Sequence, residues 1–371
     1  MTRPWPAEAV GVEARLRRVE ACRPEALLRV GVISNPWARA VRAAGPELGE
    51  AVARQVGAGL LRETRDRGAL REAIGHLVGV EGVNVLATLG GDGTLHAVVN
   101  ELLAYDRAAA VGGGGRAPLP MVFALRGGTL NIVGRSLGTA GPPARTLARF
   151  WGAHRGAPLA SLPARPLPLL RVQSAAVGQH YGFVFGSEMV RHALEMYDRF
   201  GGGHVGLSRF LFETFRGRAF DTELWRRESW RLTPPSTPLV VSHGAGRAEV
   251  ARYAAAVACT VDLAIVGGAL RALRRPASPD VFSVRVITET RTDALVKMAP
   301  ALMIGRPLAG TLDVALATSM QLEGSFTLDG EVFPPLDPAA DGAVTVAIAA
   351  PLRAIVAEGS ERALRPLAEW W

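Results

Sequence analysis

Asp92 stands inside Gly90-Gly91-Asp92-Gly93-Thr94, five residues whose types and order suit one kind of chemistry. Glycines let a backbone approach phosphate oxygens closely, and the N–H groups that open a helix point at an anion. A carboxylate in such a cradle repels phosphate unless a metal ion or a proton transfer engages it. The combination implies a nucleotide site at which a reaction takes place.

The flanking elements must hold that turn in place. Residues 83–89 are β-branched and apolar and predict a buried strand. After the turn, Leu95, Val98, Val99, Leu102 and Leu103 recur at helical spacing. A first strand is predicted over 27–34, ending at Asn35-Pro36, and a helical segment over 46–77. A third strand, 121–125, runs into Arg126-Gly127-Gly128-Thr129-Leu130-Asn131 and then a helix. This alternation predicts a doubly wound parallel sheet, whose ligands gather at the carboxyl ends of the strands. The glycine run 112–115 reads as a surface connector. Prolines 158, 163, 166 and 168 mark a linker. Beyond it, 169–177, 181–185, 281–288 and 344–349 read as strands between Gly/Pro turns, so this half is expected to be β-rich. The expected organisation is a leader over 1–27, an α/β nucleotide-binding domain over 28–160, a β-sandwich domain over 161–350, and a C-terminal segment over 351–371 packing back on the first domain.

Composition removes several classes. The chain has 371 residues, 49% hydrophobic, and a net charge of +8. Its positive charge is almost all arginine, because Lys297 is the sole lysine. A Walker loop needs a lysine after its glycines and a protein kinase needs one on its third strand, so both are poor fits. Cys22 and Cys259 lie far apart and predict no disulfide framework, which suits a reducing compartment. The histidines show no zinc-type spacing. Glu8 and Glu13 interrupt any signal-peptide run, and Asp262 interrupts the apolar stretch 253–270, which reads as core strands. The expectation is a cytoplasmic protein, peripherally associated with membrane.

Asn35-Pro36, Thr64, the Gly90–Thr94 turn with Asn100, Gly128-Thr129 with Asn131 and Leu137-Gly138, and Asp329-Gly330-Glu331 follow one another over 28–333. In that order they resemble the diacylglycerol kinase catalytic-domain superfamily, which includes bacterial lipid kinases, sphingosine kinases and, more distantly, NAD kinases. The resemblance implies a nucleotide-binding α/β domain followed by a β-sandwich, with the active site in the cleft between. It implies transfer of the γ-phosphoryl group of ATP to a lipid hydroxyl, diacylglycerol-like or sphingoid, with Mg²⁺. Carried over by position, Asn35, Thr64, Gly90, Gly91, Gly93, Thr94, Gly128, Thr129 and Asn131 line the nucleotide. Asp92 sits at phosphate and metal, and Glu331 enters from the second domain. Asp280 stands where the family often has an acid of a magnesium network, with Val281 in place of the usual glycine. Ile132 and Ala97 stand where the family usually has Asp and Glu.

The residues support the same chemistry without the name. A lipid hydroxyl is barely ionised at neutral pH, so a carboxylate must accept its proton, a contribution of about 10²–10⁴ in rate. Asp92 and Glu331 are both candidates. With no lysine clamp, the charge on the transferring group falls to metal, glycine backbone and Arg126 or Arg135. Three blander readings stand beside these. Asp329-Gly330 is a favoured hairpin pair, Asn35-Pro36 is a common strand-ending turn, and His96 is a core or surface histidine.

Arginines alternate with Phe and Trp over 199–231. Leu207, Phe210, Leu211 and Phe215 fall near one helical face. Such a segment is either a buried amphipathic helix with a solvated basic side or an element that meets an anionic membrane surface, where each arginine contributes about 1 kcal/mol. No nucleic-acid-binding fold is recognisable, and no obligate protein partner is inferred. Two alternatives remain: a kinase of a soluble alcohol, with NAD the distant case, and a nucleotide-binding regulator without catalysis.

Overall fold

The computed structural model describes residues 12–111, 118–200, 203–232, 238–244, 246–265, 270–334, 336 and 342–357. The glycine run 112–115 and most of the segment 351–371 therefore lie outside the described residues. The chain forms two compact units, one from residues up to Leu167 together with those from Pro351, the other from Pro168–Ala350.

In the first unit, α1 (Val12–Ala21) precedes β1 (Val30–Ser34), α2 (Arg39–Ala44), α3 (Pro46–Val56), β2 (Leu61–Glu63) and α4 (Arg67–Ile74). Then come β3 (Val85–Gly90), α5 (Asp92–Val111), β4 (Met121–Arg126), α6 (Ile132–Ser136) and α7 (Pro143–His154). The four strands run parallel in the order β2-β1-β3-β4. Every residue of β1 and β3 is buried, as expected for strands covered on both faces. One face packs Val30, Val32, Val85 and Phe123 against Leu48 and Val52 of α3 and Leu147 and Phe150 of α7. The other packs Ile33 and Leu86 against Leu70 and Ile74 of α4 and Val98 and Leu102 of α5. Helices thus cover both faces, and the sheet is doubly wound.

Two local expectations change. The single helix over 46–77 is two helices around a short strand. Gly57, at φ 99°, ends α3 in a conformation that only glycine adopts readily. Leu61-Arg62-Glu63 then pairs at the sheet edge, too short to show an alternation. The segment expected as a leader packs on the first unit through α1. Arg18 of α1 is buried and pairs with Asp106 of α5 at 2.6 Å, with its guanidinium over the Tyr105 ring.

The second unit is largely antiparallel. It contains β5 (Ala164–Ser174), β6 (Gly178–Gly182), β7 (Val184–Glu188), α8 (Met189–Arg199), α9 (Gly203–Phe220) and α10 (Glu223–Glu228). Next are β8 (Leu239–His243), β9 (Gly246–Val250), β10 (Ala255–Cys259), β11 (Leu263–Ile265), β12 (Leu270–Leu273) and β13 (Phe282–Ile287). The remainder is α11 (Thr292–Met303), β14 (Thr311–Leu322), β15 (Phe326–Leu328), β16 (Glu331–Val332) and β17 (Val344–Ile355). The chain leaves and re-enters the first unit within β5 and β17. β14 changes partners along its length. Thr311–Ala317 pairs with β13, and the stretch to Leu322 pairs with β8 and β17. Register irregularities lie against both partners near Ala317, where an extra residue bends a strand. Both arms of the bent sheet feed one core, with Leu170, Phe185, Val241, Val284, Met320 and Phe326 among its members.

The strand expected over 181–185 is two strands meeting at Phe183, and among the described residues the β-rich half also carries four α-helices. Two of them, α9 and α10, fill the Arg/aromatic segment, and α8 leads into it. The fourth, α11, exposes Lys297. Among the described residues no helix is long and apolar enough to cross a membrane.

Candidate functional site

The parallel strands of the first unit end side by side. Ser34 is in register with Glu63 and with Leu89, and Gly90 is in register with Arg126. Asn35, Thr64, the Gly90–Thr94 turn and the Gly127–Asn131 loop therefore meet at one carboxyl edge. Thr64 is buried there, its N–H bonded to Ser34 O at 2.9 Å. Asn35 donates from Nδ2 to Thr94 Oγ1 at 3.0 Å and accepts the Trp37 amide on Oδ1 at 2.9 Å. Its side chain ties the end of β1 to the first turn of α5.

The glycines meet each other. Gly127 N–H donates to Gly90 O at 2.7 Å. A Cβ on Gly127 would stand 2.9 Å from Gly90 N, and one on Gly91 would stand 3.0 Å from Gly128 Cα. One on Gly128 would collide with Gly91 Cα, and one on Gly90 with the Thr94 side chain. The two glycine turns are thus in backbone-to-backbone contact. The contact explains glycine at 91, 127 and 128, and the Thr94 side chain explains it at 90, without reference to any ligand.

Asp92 joins the same two turns. Its Oδ2 accepts from Ile132 N–H at 3.0 Å and its Oδ1 from Val133 N–H at 3.2 Å. The carboxylate therefore caps the short α6, meeting amides with no partner inside the helix. Ile132, where an acid was expected by resemblance, contributes its backbone to this bond. Arg126 and Arg135 stand close by. Burial and the Arg135 charge hold the Arg126 guanidinium below its usual pKa, while Asp92 pulls it back up. Arg126 lies along α6, where a Cβ on Gly134 would come within 3.1 Å of its Cγ, and reaches Thr139 O at 3.4 Å. Arg135 donates from Nε to Leu130 O at 2.9 Å.

Asn131 is buried in the left-handed conformation, at φ 49°. Its Oδ1 accepts from Gly128 N–H at 2.9 Å and its Nδ2 donates to Gly128 O at 2.7 Å. Both amide groups thus close the loop that presents Thr129. His96 is buried, with Asn100 Nδ2 on its carbonyl at 2.9 Å, a core arrangement.

The remaining two candidates, Asp280 and Glu331, belong to the second unit. Asp329-Gly330 is a two-residue hairpin turn with φ of 53° and 88°, joining β15 to β16. Glu331 follows it, exposed, on β16. Asp280 is exposed in a turn, its N–H 3.3 Å from Ser278 Oγ. Among the described residues no three His, Cys, Asp or Glu side chains converge as a metal-holding group.

Three features escaped the sequence reading. Asp329 accepts Phe183 and Val184 N–H on Oδ1, both at 2.9 Å, and pins the corner between β6 and β7. A Cβ on Gly182 would press on its other oxygen at 2.5 Å. Glu188 ends β7 buried, in the left-handed conformation at φ 52°. Burial pushes its carboxyl up to about 7, against the Ser325 amide and Arg191, which favour the charged form. Finally, α8, α9 and α10 enclose a cavity lined by His192, Met196, Phe200, Trp225, Glu228 and Arg231. At its polar end Arg231 bonds Glu228 at 2.6 Å and Glu195 at 2.8 Å. These pairs join residues 3 and 36 apart in sequence, and only the shorter spacing is a helical signal.

Solved structures share this architecture. A diacylglycerol kinase from Bacillus anthracis str. Sterne matches with TM-score 0.55 at 14% identity, over 88% of this chain and 96% of that one. Two more structures from the same organism, provisionally called diacylglycerol kinases, match with TM-score 0.57 at 14% and 15% identity, over the same shares. The chain has the diacylglycerol kinase fold. No protein-family model and no curated protein sequence matches it. At this identity the diacylglycerol kinase fold is shared and the chemistry rests on the residues.

Proposed function

We propose that the chain is an ATP-dependent kinase that phosphorylates the hydroxyl of a lipid, diacylglycerol-like or sphingoid. The observation that carries this reading is the carboxyl edge of the first unit. There Asp92 joins two glycine turns beside Arg126 and Arg135. In this reading the ATP phosphates lie along that edge, and the arginines take the place of the missing lysine. The lipid oxygen forms its bond to the γ-phosphorus as the bond to the β-phosphate oxygen breaks. ADP leaves with the electron pair, and the hydroxyl proton passes to a carboxylate, Asp92 or Glu331. Mg²⁺ is proposed only as the companion of the nucleotide phosphates.

The test is transfer of label from γ-labelled ATP to a lipid extract, read as partition into the organic phase. Asp92→Asn is expected to lower transfer at least about 100-fold. Glu331→Gln, assayed in parallel, assigns the base to whichever variant loses more kcat. Asparagine keeps only one acceptor for the two α6 amides, so circular dichroism must first show Asp92→Asn folded. Label that stays in water points to a soluble alcohol, and undiminished transfer by a folded Asp92→Asn removes Asp92 from the mechanism. A second reading, a nucleotide-binding regulator, is favoured by one observation: both Asp92 oxygens are engaged by amides while Ile132 and Ala97 replace expected acids. ATP binding without transfer to any lipid would support it.

A further inference from the structure

The Arg/aromatic segment over 199–231 has no role in the site described above, and its side chains are distributed unusually. Phe212, Phe215 and Phe220 of α9 are 62%, 39% and 78% exposed, and Trp230, which follows α10, is 51% exposed. Among the described residues Trp37 is the one other exposed large aromatic ring, so four of the five lie in this helical segment. Phe215 and Phe220 lie three and eight residues beyond Phe212, which places all three on one side of α9. Arg209 and Arg216, three before and four after Phe212, share that side, and both are exposed. The result differs from a buried amphipathic helix with a basic outer side, because the phenylalanines themselves face out. A cluster of exposed rings of this kind marks a docking surface.

We propose that this face of α9 docks on an anionic lipid bilayer, with the phenylalanines entering the acyl boundary and the arginines meeting the headgroups. Charge decides between a membrane and a second copy of the chain. On this side of α9, Arg209 and Arg216 stand exposed against one acid, Glu213, which pairs with Arg216 at 2.8 Å, so the face keeps a net positive charge that a second copy repels and an anionic bilayer attracts. Rings interleaved with guanidinium groups also suit the interface, where apolar and ionic contacts are made at different depths. The proposal deepens the lipid-kinase reading, since a lipid acceptor has to be taken from a bilayer. It does not depend on turnover.

The experiment is co-sedimentation of the full chain with phosphatidylcholine vesicles, with and without phosphatidylserine, at about 0.05 M and about 0.5 M salt. The chain is expected to bind the serine-containing vesicles and to bind them less at high salt. The double variant Phe212→Ser/Phe220→Ser is expected to lose about ten-fold or more in partition at either salt. Arg209→Gln is expected to lose about five-fold, and only on serine-containing vesicles at low salt. Both substitutions are at exposed positions, and the arginine variant gives the result independently should the double variant fail to fold. No vesicle binding, or binding that neither variant lowers, overturns the proposal. So does a dimer in sedimentation velocity that the double variant dissociates. A chain that binds vesicles through α9 and phosphorylates no lipid defeats the kinase reading and leaves this one standing.

Discussion

The molecule contains two Asp-Gly pairs in its motifs, and they use the aspartate in nearly the same way. Asp92 binds the amides of Ile132 and Val133; Asp329 binds those of Phe183 and Val184. In both cases one carboxylate gathers two consecutive N–H groups from a distant segment. The surroundings differ. Asp92 opens a twenty-residue helix, beside two glycine turns and two arginines. Asp329 sits in a left-handed hairpin and spends its carboxylate on a strand corner. The dipeptide and its amide bonds therefore do not mark a reactive site. In the proposed reading the neighbouring positive charge and the meeting of strand ends set Asp92 apart.

The comparison breaks first at the glycine contact, if it is going to break. Gly128→Ala puts a methyl group into Gly91 Cα, and both partners are backbone, so neither can swing aside. A loss of about 4 kcal/mol or more is expected from urea unfolding of the first unit. Gly152→Ala, in α7 with no atom within 4 Å of the new methyl, is the matched control and should gain about 0.5–1 kcal/mol. A Gly128→Ala protein as stable as the parent would mean that the turns do not touch.

Next is Asp329→Ala. It strands two amides and puts alanine at a positive φ, so a loss of about 3 kcal/mol is expected. Phosphoryl transfer by the remaining folded fraction should be unchanged, unlike Asp92→Asn. If Asp329→Ala instead kept its stability and lost transfer, the two aspartates would have to exchange roles.

The smallest effect concerns pH and belongs to the second unit. Glu188 is raised from an ordinary 4.5 to about 7, so the native state holds its proton more tightly than the unfolded chain does. Its contribution is complete below about pH 4.5, falls as pH rises toward 7, and is gone above it. The loss is of order 2–3 kcal/mol. Glu188→Gln keeps the neutral shape and should remove that fall. Urea midpoints at pH 5 and 8 for parent and variant measure it, and parallel curves for the two proteins would count against the buried acid.

Much of the first unit was legible. β1, β3 and β4 show as apolar runs, and Gly90, Gly127 and Asn131 punctuate their ends. β2 was hidden because Leu61-Arg62-Glu63 is short, lies at the edge and follows a helical pattern. The candidate residues around Asp92 were legible as a set, because successive strands of a parallel sheet deliver them to one edge. Their bonding was not. Asp92 meets amides 40 and 41 residues away, and Asp329 meets amides 145 and 146 away. No local pattern encodes such pairs. The second unit was harder because β14 changes partners midway, which no alternation of residues announces.

Arginine carries almost every positive charge here, and the one lysine is exposed on α11. Acylating reagents that seek lysine side chains, and cellular enzymes that mark proteins through them, find a single such address. It lies on α11 of the second unit. A dye coupled to that side chain as a succinimidyl ester, with the α-amine blocked, reports on that unit and leaves the arginines of both candidate surfaces untouched.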